Sequence, residues 1–168
     1  GNSAFVIARN NNGMHNGKML QGHSQMTLSF DVKLNGASAT NTGWERLWDM
    51  IVDKNGDSTG YITAMAHHAS GSGMELIYGN IGNSQKWVFD SEGVSYVLEN
   101  DKWVNLTYVF SLDAISVYVD GARIAYSTEA ARMRKLTDII NDFPYYSAYF
   151  TFGSPVHEQN RRLAADYD

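Results

Sequence analysis

The sequence predicts an all-β domain, an antiparallel two-sheet sandwich of the jelly-roll kind, with one short helix. Three observations carry this. Lys102 to Phe110 and Ala114 to Asp120 alternate apolar and polar residues, and Asp120-Gly121 then turns the chain into a third run, Ala122 to Ser127. Asp-Gly between alternating runs is a strong hairpin signal, because both turn positions need positive φ. Met26 to Leu34 places Leu28, Phe30, Val32 and Leu34 on one face and Thr27, Ser29, Asp31 and Lys33 on the other, the pattern of a half-buried strand. Further apolar runs recur at short intervals, separated by turn residues, as sandwiches require.

Taken in order, Ala4 to Ala8 is the first strand candidate, and Asn10 to Gly17 is a polar loop. After Met26 to Leu34 come Glu45 to Val52, Tyr61 to His68, Met74 to Tyr78 and Lys86 to Phe89. Lys54-Asn55-Gly56-Asp57, Ala69 to Gly73 and Gly79 to Ser84 supply the turns. Pro144 and Pro155 fall outside the strands, as residues without an N–H should. Thr128 to Asn141 differs: Met133, Leu136, Ile139 and Ile140 recur at helical spacing, with Ser127 or Thr128 as cap. That apolar stripe reads as packing against the sandwich.

The composition limits the function. In 168 residues, 43% are hydrophobic and 12% aromatic, enough for one domain with a real core. A net charge of −5 argues against nucleic acid, whose binding rests on basic patches. No apolar run is long enough to insert in a membrane. The lack of cysteine rules out a disulfide framework, a thiolate nucleophile and a Cys-bound metal.

The ordered segments GKMLQGHSQMTLSFDVKL, RLWDMIVDKNGDSTGYITAM, KWVNLTYVFSLDAISVYVDGARI and SAYFTFGS resemble the laminin G-like, concanavalin A-like jelly-roll family across Lys18 to Gly153. The resemblance implies a concanavalin A-like sandwich and, as leading function, non-catalytic carbohydrate binding by an extracellular or cell-surface module with a glycan partner. It places Trp103 at a core-packing position. Calcium is the one metal it brings, but the two terminal segments near which members hold the ion depart from the pattern here, so no ligand is carried over and no cofactor is assigned. The family's closing strand would follow Leu163 to Asp168. Residues 1–168 are therefore expected either to lack that strand or to have another segment complete the sheet.

Sugars stack their C–H faces on aromatic rings while fixed polar groups bind their hydroxyls. Trp48 shares a regular strand face with Arg46 and Met50, opposite Leu47 and Ile51. With His67 on the next strand and Tyr149 late in the chain, the expected ligand-binding set is Trp48, Arg46, His67 and Tyr149. Catalysis has thinner support. Glu45, Asp49 and Asp53 at spacings of four share a regular strand face, but the Glu-x-Asp-x-x-Glu pattern of jelly-roll glucanases is missing. Asp53 to Thr59 is similar to the start of a calcium loop, yet its twelfth position is Ala64, and a hairpin turn explains the same residues. His67-His68 are strand neighbours facing opposite ways, which cannot chelate one ion together. Asn105-Leu106-Thr107 fits the N-glycosylation pattern but lies inside a strand. The competing function is a protein-interaction or adhesion domain using the loop rims.

Overall fold

The computed structural model describes residues 5–8, 23, 25–35, 45–54, 57–66, 73–80, 83–91, 94–129, 147–153, 163 and 165–168. Thirteen strands are described: β1 Phe5–Ala8, β2 Met26–Leu34, β3 Arg46–Lys54, β4 Asp57–Met65, β5 Glu75–Asn80, β6 Asn83–Val88, β7 Asp90–Ser91, β8 Val94–Ser95, β9 Trp103–Phe110, β10 Ile115–Val119, β11 Ala122–Ser127, β12 Ser147–Phe152 and β13 Ala165–Tyr167. They form a six-stranded sheet in the order β1-β12-β3-β4-β5-β6, a five-stranded sheet in the order β11-β10-β9-β2-β13, and the small pair β7-β8. Neighbouring strands in all three are antiparallel.

The alternation read in β2 is the one that packs the core. Phe30, Val32 and Leu34 are buried, while Thr27, Ser29 and Asp31 are exposed. In β9 the inward residues are Val104, Leu106, Tyr108 and Phe110. These meet Trp48, Met50, Ile62, Ala64 and Leu76 of the facing sheet in one continuous core. Each large side chain so buried contributes about 1.5–3 kcal/mol. The β10–β11 turn has the expected chemistry, with φ of 49° at Asp120 and 79° at Gly121. Asp120 is tied further by its carboxylate, which accepts the Asn105 N–H at 2.8 Å. The β3–β4 connection is a hairpin with Lys54 paired to Asp57, as the turn chemistry anticipates.

One irregularity decides which side chains face where. Arg46 pairs with Met65 and Trp48 with Ala64, so Leu47 is an extra residue in β3, a β-bulge. Leu47 and Trp48, though adjacent, are both fully buried members of the core. The bulge is tied at its carbonyl: the Leu47 C=O accepts the Gly153 N–H and the Tyr167 hydroxyl, both at 3.1 Å. Gly153 has φ +70°, and a Cβ there would stand 3.1 Å from the Tyr167 ring, so glycine serves both the conformation and the close approach.

The anticipated helix at Thr128 to Asn141 lies outside the described residues from position 130 onward. At its start, Ser127 Oγ accepts the Glu129 N–H at 3.3 Å, the kind of bond a capping side chain makes. Among the described residues no helix is long and apolar enough to cross a membrane.

Candidate functional site

From Trp48 to Val52 the pairing of β3 with β4 and β12 is unbroken, so the outer face of the six-stranded sheet can be read from the register there. Asp49 stands opposite Thr63 of β4 and Thr151 of β12, and Met65 stands opposite Glu75 of β5. Arg46 joins this group. Its Nε lies 3.6 Å from Asp49 Oδ1, and its Nη1 donates to Met65 Sδ at 3.1 Å. The Thr63 hydroxyl donates to Asp49 Oδ1. All are buried: Asp49 and Glu75 at 0% exposure, Thr63 and Thr151 at 2%, Arg46 at 9%. Buried charges carry a large desolvation cost that only close partners offset. Such partners fix these side chains, and burial keeps them from solvent.

This geometry corrects the ligand-face reading of β3. Trp48 is fully buried, not displayed. Its ring meets Tyr108 edge-on at 5.2 Å and Phe110 at 6.2 Å, both from the opposite sheet. The physical reason is the bulge, which puts Leu47 and Trp48 both on the core side and leaves Arg46 on the outer face beside Asp49. The same bulge separates the carboxylates. The Glu45 carbonyl accepts the N–H of Ala66, a core residue, which puts Glu45 on the face opposite Asp49. The two therefore cannot flank one glycosidic bond. Tyr149 occupies its register position in β12, opposite Ile51 and Ala8, but its side chain and all of His67 lie outside the described residues. Among the described residues no group of three or more His, Asp or Glu is placed to hold a metal ion.

Among the described residues, accessible polar chemistry sits on the other sheet. The outer face of the five-stranded sheet pairs Lys33 with Trp103, Asp31 with Asn105, and Ser29 with Thr107. Asn105 Nδ2 donates to Asp31 Oδ1 at 2.7 Å, Thr107 Oγ1 donates to Asn105 Oδ1 at 3.0 Å, and the Ser29 and Thr107 hydroxyls lie 2.8 Å apart. These bonds lock a ladder of amide, carboxylate and hydroxyl groups along the sheet. Asn105 and Thr107, read as a stray glycosylation pattern, belong to this ladder.

Trp103 closes one end of it. Expected in the core, it is 47% exposed, because Trp103 lies on the outward side of the β9 alternation whose inward residues are Val104 and Leu106. Lys33 Nζ stands 5.3 Å from its ring centroid and is held there by Asp166 at 2.8 Å. That bond, with a second from Asn35, keeps the exposed Asp166 carboxyl below the usual carboxylate range. At the far corner of the sheet, Tyr126 is 52% exposed beneath the Arg123 guanidinium, 4.8 Å from its ring.

No family model matches the sequence, and no curated protein matches it. Solved structures do match. The mouse laminin alpha1 chain, domains LG4-5, is similar at a TM-score of 0.56 and 13% identity, over 98% of this chain and 37% of that one. The Ruminococcus gnavus IT-sialidase CBM40 bound to alpha2,3 sialyllactose is similar at 0.52 and 11%, over 83% and 68%. A structure described as NanB plus Optactamide is similar at 0.59 and 14%, over 99% and 23%. The chain thus spans well under half of the laminin and NanB chains. With two antiparallel sheets packed around one core, the protein has the concanavalin A-like jelly-roll fold, the fold of laminin G-like domains.

Proposed function

We propose that this domain is a non-catalytic carbohydrate-binding module of an extracellular or cell-surface protein, and that it takes its glycan on the outer face of the five-stranded sheet. The observation that supports this is Trp103, an indole 47% exposed at the end of a pre-locked polar ladder. Stacking needs an exposed ring, and selective recognition of hydroxyls needs polar groups already fixed in place. The ladder supplies both at once, without a reordering cost on binding. Trp103, at the end of the central strand β9, and Tyr126, on the edge strand β11, lie six residues apart along the sheet and two strands across, roughly 20 Å by 10 Å from strand geometry. That span suits an extended oligosaccharide over a single sugar. One of the similar structures holds alpha2,3 sialyllactose, which agrees with a glycan partner.

On this reading Arg46 holds the six-stranded sheet together, and Trp103, Asn105 and Asp31 hold the sugar. The test is a glycan-array screen followed by titration of the best ligand, with calcium and with a chelator. Trp103→Ala is expected to lower affinity at least tenfold with the fold intact, and Asn105→Ala to do the same. If Arg46→Met abolishes binding in a folded protein while Trp103→Ala leaves it unchanged, the ligand belongs on the six-stranded sheet, with Arg46, Tyr149 and His67. If no glycan binds a cooperatively folding sample, the protein-interaction reading takes its place.

A further inference from the structure

The pairing of β10 with β11 contains a second bulge. Val117 pairs with Ala125 and Tyr118 with Arg123, so Ile124 is an extra residue in β11. Ile124 and Ala125 both pack on the core, and Arg123 and Tyr126 both stand on the outer face, although positions three apart on a regular strand take opposite faces. The bulge thereby seats the Arg123 guanidinium over the exposed Tyr126 ring, 4.8 Å from its centroid. Both residues continue the polar ladder. Arg123 ends the crosswise row Ser29, Thr107, Tyr118, Arg123, and Tyr126 ends the next row beyond Val109 and Ser116. The charge on Arg123 is unanswered. Lys33 meets Asp166 at 2.8 Å, Lys102 meets Glu99 at 3.4 Å and Arg46 meets Asp49 at 3.6 Å, whereas Arg123 makes no ion pair or hydrogen bond among the described residues. The acid nearest it in sequence, Asp120, turns a carboxylate oxygen to the Asn105 N–H instead. A guanidinium resting over an aromatic face still directs its N–H fork at a planar oxyanion, which accepts two parallel bonds.

We infer that Arg123 and Tyr126 form an anionic subsite at one end of the glycan surface, which takes the carboxylate or sulfate of an acidic sugar. This rests on the glycan reading of that face and extends it, by naming the class of sugar and the direction in which the chain lies. The Arg123 fork holds two oxygens of the anionic group, and the Tyr126 ring fixes the fork before the sugar arrives, so less side-chain freedom is lost on binding. The hydroxyls of the adjoining sugar fall toward Thr107, about 10 Å away across two strands. The Trp103 end of the surface refuses an anion. There Asp31 already presents a carboxylate, and Lys33 is neutralised by Asp166. An acid at one end and an unanswered cation at the other set a single orientation, with the acidic sugar at Tyr126 and an uncharged one on Trp103.

The test titrates the intact protein by calorimetry with three matched sugars: cellopentaose, cellopentaose whose non-reducing terminal glucose is oxidised to glucuronate, and cellopentaose with a 6-O-sulfate on that glucose. The expected result is that at least one acidic form binds tenfold or more tighter than the neutral one, with the advantage shrinking as salt rises. Whichever acidic form binds tighter identifies the anion. The deciding variant is Arg123→Ala. Arg123 is exposed and touches only the Tyr126 ring, so the variant is expected to melt like the parent while losing the tenfold preference and keeping its affinity for cellopentaose. Tyr126→Ala, which frees the guanidinium, is expected to lower the preference severalfold, and Tyr126→Phe to keep it. Trp103→Ala is expected to weaken all three sugars and leave the preference standing. Equal affinity for acidic and neutral forms, with binding still weakened by Trp103→Ala, overturns the subsite and spares the glycan surface. An acidic preference that survives Arg123→Ala also overturns the subsite. If none of the three sugars binds, the subsite falls together with the surface.

Discussion

Trp48→Ala should be among the most damaging single substitutions in this protein, although a regular alternation along β3 invites a different expectation. Trp48 has no exposed surface and packs edge-on against Tyr108 and Phe110 across the gap between the sheets. Truncating a buried tryptophan to alanine costs about 3–5 kcal/mol, the sum of lost transfer energy and an unfilled cavity. The surrounding Tyr108, Phe110, Met50 and Ala64 are themselves pinned by sheet register, so little collapse should relieve the cavity. At about 2–4 °C per kcal/mol for a domain of this size, the melting temperature should fall by roughly 6–20 °C. Far-UV circular dichroism, followed through thermal and urea unfolding, reads this directly. Trp103→Ala is the paired control. It removes an outward ring and one exposed cation–π contact, and should cost about 1 kcal/mol or less. Equal shifts for the two variants, or a Trp48→Ala protein that melts like the parent, would refute the assignment of core and surface tryptophans.

Other outcomes follow from the charges and phenols. Arg46→Met deprives the buried Asp49 of its guanidinium neighbour and should destabilise by about 3–5 kcal/mol, whereas Arg46→Met with Asp49→Leu should recover most of the loss in a denaturant titration. The Asp166 carboxyl, lowered first by its bond from Lys33, should titrate in carbon-detected NMR below an ordinary aspartate, and Lys33→Ala should raise it again. Because its folded value is depressed, its small stabilisation is present above the ordinary carboxyl range and is lost as pH falls through the depressed value. Tyr108 and Tyr167 are pushed far above the usual phenol range, mainly by burial. Both should therefore stay un-ionised in a spectrophotometric alkaline titration of the native protein. Their sign is opposite: the unfolded chain loses these protons near pH 10 and the native one keeps them, so stability falls as pH rises past that point.

The sandwich was legible because its strongest signals are local. The Leu28-Phe30-Val32-Leu34 alternation and the Asp120-Gly121 turn each need only a few neighbouring residues, and each appears in the structure as read. The candidate site was less legible, for a geometric reason. Face assignment along β3 assumed an unbroken period of two, and the extra residue at Leu47 reverses every side chain on the Glu45 side of it relative to Asp49. Nothing in Glu45-Arg46-Leu47-Trp48-Asp49 announces that insertion, since Leu47 and Trp48 each suit a core on their own. Trp103 was misplaced by resemblance where period alone was the better guide. Val104, Leu106, Tyr108 and Phe110 already claim the inward side of β9, which leaves Trp103 with Asn105 and Thr107 on the outside. The ladder itself needed long-range register, because Ser29 and Asp31 are more than seventy residues from Thr107 and Asn105 in sequence.

The Leu47 carbonyl also has a mechanical meaning. It takes hydrogen bonds from Gly153 at the end of β12 and from the Tyr167 hydroxyl of β13, so one oxygen fastens a strand of the five-stranded sheet to the bulge of the six-stranded one. Tension drawn through the C-terminal strand would not merely peel three residues from an edge. It would pull on a cross-sheet rivet buried beside Phe30 and Phe152, whose rings pack on Tyr167. Load drawn through β13 would thereby enter the middle of the sandwich, where yielding requires the two layers to part together.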